Sequence, residues 1–182
     1  MKYNLGKRFR TPFSFLKEKS KAIMYLLSII EQRLLSDFPS EAESIKRIFR
    51  RLYSTLRAYS RGKGKSPGIE WEHIKAAADN SQIAIDRCIR CLENDFSLEG
   101  IETVLDILPL GPDCCPFCLS KVSCSECGYA TLHKRCGEAN SSITKLYEAL
   151  GDLKGKIHNL KQKGGKNEKD KREEIYQGHS QV

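Results

Sequence analysis

Residues 113–136 read DCCPFCLSKVSCSECGYATLHKRC and hold six of the chain's eight cysteines and one of its four histidines. No other stretch limits the fold so strongly. Its remaining residues are mainly polar or charged, so the thiols are not a buried apolar cluster of the ordinary kind. Cys115 and Cys118 form one Cys-x-x-Cys pair, Cys124 and Cys127 a second, and His133 precedes Cys136 by the same spacing. A tight turn at that spacing puts two sulfurs on one side of the backbone and lets turn amides donate to them. Two such turns supply the tetrahedral sulfur set that zinc takes, with Zn–S near ~2.3 Å.

The expected centre is one closed structural zinc, drawn mainly from Cys115, Cys118, Cys124 and Cys127. Cys136 and His133 are the substitutes, and Cys114 is a spare. An iron–sulfur cluster is the alternative cofactor, because five thiolates exceed the four that a cubane needs. The presence of His133 at ligand spacing and the suitability of a closed tetrahedral site as a folding staple favour zinc. Cys115-Pro-Phe-Cys118 also resembles the CPxC of glutaredoxin-type redox sites over those four residues. In that fold the motif follows a strand inside a βαβ unit. Here helices and the proline-bounded stretch 109–112 precede it, so a thioredoxin-like fold is not expected. Cys88 and Cys91 share one side of a helix, and Cys88 reads as core beside Ile85 and Leu92.

The rest of the chain reads as helix. Leu16, Ile23, Leu27, Ile30 and Leu34 recur at helical spacing over about 14–37. Ser40 and Glu43 have the pattern of a capping box for a helix carrying Ile45, Phe49, Leu52, Leu56 and Tyr59. A third helix is expected over 69–94 and a short one after Ser97. Beyond the cysteines, Ile143, Leu146, Leu150, Leu153, Ile157 and Leu160 form a heptad seam. It suits packing on the core, and it equally suits a protein partner or a second copy of the chain.

The fold class expected is mostly α: a helical bundle of about four helices, with a compact Cys-rich metal-binding loop leading into a C-terminal heptad-patterned helix. The divisions are a basic N-terminal arm (1–12), a helical domain (13–111), the Cys-rich module (112–138), the amphipathic helix (139–162) and a disordered tail (163–182).

Charge bears on partners. The net charge is +8. Residues 45–65 carry eight basic side chains and no acid, while 66–111 carry three basic and nine acidic ones. The plain reading pairs these two segments inside one fold. The sharper reading is a nucleic-acid surface made of Arg50, Arg51, Arg57, Arg61, Lys63 and Lys65. The longest apolar run, residues 22–30, is about half the ~20 residues a spanning helix needs, so neither a membrane anchor nor a signal peptide is expected. Reduced thiols then point to a cytoplasmic setting. No nucleophile–base–acid set and no phosphate-binding glycine loop is legible. The function expected is a non-enzymatic zinc-binding interaction or adaptor protein. The alternatives are a nucleic-acid-binding regulator and an iron–sulfur protein of electron transfer or redox sensing.

Overall fold

The computed structural model describes residues 9–63, 68–120, 123 and 126–178, with side chains as far as 163. Residues 1–8 of the expected arm, Lys65, Cys124 and residues 179–182 lie outside the described residues. The fold is mostly helical, and no strand occurs among the described residues. The helices are α1 (Pro12–Asp37), α2 (Ala42–Tyr59), α3 (Trp71–Asn94), α4 (Leu98–Asp106), α5 (Pro116–Leu119), α6 (Ala130–His133) and α7 (Ser142–Gly178). None of the described helices is long and apolar enough to cross a membrane.

Local chemistry explains the ends. Pro12 occupies the first turn of α1, where its missing N–H costs nothing, and Thr11 and Ser14 cap each other's backbone amides at 3.1 Å. Phe9 packs edge-on to Phe15, with ring centroids 5.3 Å apart, so the expected arm is anchored in the core by its last residues. The capping box expected at Ser40 and Glu43 does not form. Phe38-Pro39 starts a 3-10 turn over Pro39–Glu41, which moves the start of α2 to Ala42. Glu41 instead accepts from Lys156 at 2.6 Å and from Lys163, both on α7. These lysines hold its carboxyl at about 2, below the ordinary carboxylate value. Ser97 caps α4 as expected, accepting from the Gly100 amide at 3.2 Å.

Helix α7 packs most extensively on α2 and also on α4. All six seam residues from Ile143 to Leu160 are buried there. The seam is therefore buried within the chain. The helix continues to Gly178 instead of ending near 162.

The charge pairing also differs from the expectation. Among the described residues, α2 packs chiefly on α7 and α1, and its long-range ion pairs run to α7. Arg51 bridges Glu148 and Asp152 of α7, while Lys154 and Lys161 of α7 reach Asp106, Glu99 and Glu102 of α4. One helix thus presents acids to its basic neighbour and lysines to its acidic one. Such exposed pairs are worth about 0–1 kcal/mol each and fix the orientation of α7 more than its stability.

Leu153 is fully buried on this seam. Leu153→Ala should lower unfolding free energy by about 2–5 kcal/mol in urea titration and leave the sedimentation coefficient unchanged. A shift in oligomeric state with unaltered stability would restore the seam as an interface.

Candidate metal centre

The Cys-rich segment is tied to the helices by aromatic rings before any sulfur is considered. Phe117 of α5 meets Phe13 at 5.2 Å between centroids and Tyr129 at 5.7 Å. Tyr129 is also 5.7 Å from Tyr59, and its hydroxyl donates to the Tyr59 carbonyl at 3.1 Å. Phe13 in turn lies over Gly62, where φ is +153° and a Cβ would come within 2.3 Å of the ring. Only glycine lets the chain leaving α2 pass that close.

His133 stacks on Tyr129 with centroids 4.2 Å apart. Its Nε2–H donates to the Arg61 carbonyl, and its Nδ1 accepts from the Ser142 hydroxyl at 3.0 Å. Both ring nitrogens are therefore engaged, and neither is offered to a metal. The imidazole joins the end of α2, the end of α6 and the start of α7. This is a structural hydrogen-bond bridge in place of the substitute ligand expected from spacing. Burial holds its pKa below the ordinary 6.5. The next residue, Lys134, has φ 63° and ψ 168°, a conformation rare outside glycine. It turns the chain sharply between buried His133 and exposed Cys136.

Cys115, Cys118 and Cys136 border one cavity, and Cys127 lies within electrostatic reach of Cys118. The Cys118 thiol and the nearby amides of Phe117 and Cys118 favour the Cys115 thiolate. The Cys118 thiol bond, with Lys19 behind it, draws the Cys115 pKa down, and the same bond pushes that of Cys118 up. Cys136 and Cys127 are close enough for their charges to raise Cys118 further. Cys115, Cys118 and Cys136 line one cavity of about 130 Å³ with Tyr59, Tyr129 and Tyr147. The Cys136 carbonyl accepts from Ser141 at 3.2 Å and from Thr144 at 3.1 Å, which fastens it to the first turn of α7. Among the described residues, no three His, Cys, Asp or Glu side chains converge at metal-binding distances.

Cys114 and Cys88 do not line that cavity. Cys114 is buried, and burial raises its pKa. Cys88 lies in the core, donates weakly to the Val104 carbonyl at 3.8 Å and is pushed up by burial to about 12.

One residue escaped the sequence reading. Lys19 of α1 is fully buried. Its ammonium donates to the Cys114 carbonyl at 2.6 Å and lies 5.4 Å from the ring centroids of both Phe15 and Tyr59. Burial lowers its pKa, while Cys115, Cys114 and Cys118 act in the opposite direction. The signal was present in the sequence. Lys19-Ser20 falls between Leu16 and Ile23, where the helical period calls for apolar side chains.

The candidate nucleic-acid residues divide. Arg51 is held by α7 acids, and Arg50 lies 4.0 Å from Glu43. Arg57, Arg61 and Lys63 instead line a groove near α6.

The pH dependence of the His133 bridge follows from its lowered pKa. The unfolded chain takes up the proton more readily, so the bridge's contribution is complete above about pH 6.5 and declines as pH falls below it. His133→Gln keeps a donor for Arg61 but does not titrate. Thermal melts should show a shallower loss of stability below pH 6.5 in this variant than in the parent; equal slopes would remove the histidine from the acid response. No protein-family model matches this chain, and neither a curated protein nor a solved structure does.

Proposed function

We propose that this protein is a non-enzymatic, metal-binding module in which a thiolate-held zinc fastens the C-terminal helix to the other helices. The observation that carries the reading is the buried Lys19 beside the cysteines. A lysine removed from water is costly unless an anion compensates it. The charge-bearing groups that favour its ammonium form are Cys115, Cys114, Cys118 and Asp113, the thiols foremost. Four thiolates around a divalent zinc carry a net charge of about −2. A buried ammonium complements such a centre, whereas it would oppose a set of neutral thiols only by its own desolvation.

The donor chemistry fits. Cys115 has the two turn amides and the depressed pKa of a ready ligand. Cys115, Cys127 and Cys136 are the thiols within electrostatic reach of Cys118. Among the described residues the ligands favoured here are Cys115, Cys118, Cys127 and Cys136, and Cys124, outside the described residues, stays a candidate for the same site. Bound there, zinc would close the loop and contribute folding energy directly. Such a thiol set suits a reducing compartment. The finer architecture, a helical bundle closed by a metal-holding loop, belongs to this same reading.

Elemental analysis with an absorption spectrum, on protein prepared without oxygen, tests it. About one zinc per chain without visible colour supports the staple. Iron with acid-labile sulfide and a brown colour would reassign the protein to the iron–sulfur class. Cys118→Ser and Cys136→Ser should each lower the metal content, and unchanged stoichiometry in both would overturn this ligand choice.

Lys19→Met should weaken zinc binding by about 10–100-fold in a chelator competition, the usual effect of removing a partner just outside the ligands. The metal-free protein should be no less stable than the parent, since methionine fills the volume without the buried charge. Unchanged affinity would show that the ammonium serves packing alone.

A further inference from the structure

Beside the Cys-rich segment, the first half of α1 and the end of α2 enclose an open groove of about 650 Å³. Lys17 and Lys21 rise from α1, one helical turn apart, and Arg57, Arg61 and Lys63 face them from α2 and the chain leaving it. No acidic residue is among those that line it. Glu18, next to Lys17 in α1, pairs with Lys21 at 2.6 Å. The groove's apolar surface is made by Met24, Gly62 and Leu132, and Leu132 of α6 is 59% exposed. Lys17, Arg57, Arg61 and Lys63, with Lys21 offset by Glu18, crowd like charge over an apolar floor. Their arrangement complements an anion that also carries less polar surface.

The cations do not stop at the groove. Arg57 and Arg50 share a face of α2, two turns or about 10 Å apart, and both are exposed, with Arg50 4.0 Å from Glu43. Neighbouring phosphates of a single strand lie several ångströms apart, so a track of this length meets more than one of them. A small anion would use one end of such a track, whereas a polynucleotide uses its whole length. We propose that this groove binds the phosphate backbone of a nucleic-acid strand without reading its sequence, with the sugar and base faces resting on Met24 and Leu132. The inference goes beyond the metal reading and uses none of its ligands.

Fluorescence anisotropy of the full-length chain with a labelled ~20-nucleotide single strand tests it. With about four phosphates neutralised, affinity should fall about 50-fold between roughly 50 and 200 mM salt. Lys17→Gln combined with Arg57→Gln should weaken binding at least about tenfold at the lower salt and reduce the log–log salt slope by about 1.4. Both side chains are exposed, and circular dichroism checks that the fold is kept. Arg51→Gln is the control and should bind as the parent does, because Arg51 is engaged by Glu148 and Asp152. The proposal is overturned if the double variant binds like the parent, if Arg51→Gln loses as much, or if anionic phospholipid vesicles bind while the strand does not.

Discussion

A lysine ammonium at the centre of an apolar helix face is the constraint around which this molecule is arranged. Lys19 cannot leave the core without pulling α1 away from its neighbours, and it cannot stay without compensation. The carbonyl of Cys114 and two aromatic faces receive it directly. Those contacts place the start of the Cys-rich segment against α1, which in turn aims Phe117 at Phe13 and brings Cys115 beside the amine. A neutral residue at position 19 would leave the segment held by packing alone. The charge makes its position a matter of electrostatics as well.

The second tie is the imidazole of His133. A buried neutral histidine with one donor and one acceptor nitrogen can join two backbone or hydroxyl groups that would otherwise be stranded. Here it joins the Arg61 carbonyl to the Ser142 hydroxyl, with Tyr129 stacked against it. The end of α2, the short α6 and the start of α7 therefore meet at one ring. Strain at Lys134 is tolerated because this contact and the Cys136 carbonyl bonds hold the chain on both sides of it. The proposed centre and the basic groove lie on either side of this junction. Cys136 follows it toward the thiols, and Leu132 precedes it toward the groove.

Several expectations survive because they depend on period or spacing alone. The helical recurrence of Leu16, Ile23, Leu27, Ile30 and Leu34 corresponds to α1, and the assignment of Cys88 to the core follows from its place beside Ile85 and Leu92. The capping box at Ser40 and Glu43 fails because the preceding Phe38-Pro39 directs a 3-10 turn that no residue count reveals. His133 has the spacing of a ligand, but spacing does not show which way a ring turns after a short helix. The charge segments were legible as charge, but their partners were not. The helix that pairs with both is the last in the chain, and sequence proximity favoured the wrong neighbour.

By itself the sequence determined the mostly helical content, the apolar faces and the crowding of thiols into one polar segment. These follow from local periodicity and covalent spacing, which act within a few residues. Tertiary structure decided which thiols approach one another, that the heptad seam is buried on α2 and α4, and that Lys19 faces the cysteines from 95 positions away. It also gathered Lys17 and Lys21 with Arg57, Arg61 and Lys63 into one groove. The physical reason is the same in each case. Coulomb forces and desolvation depend on distance through space, and only the packed helices set those distances.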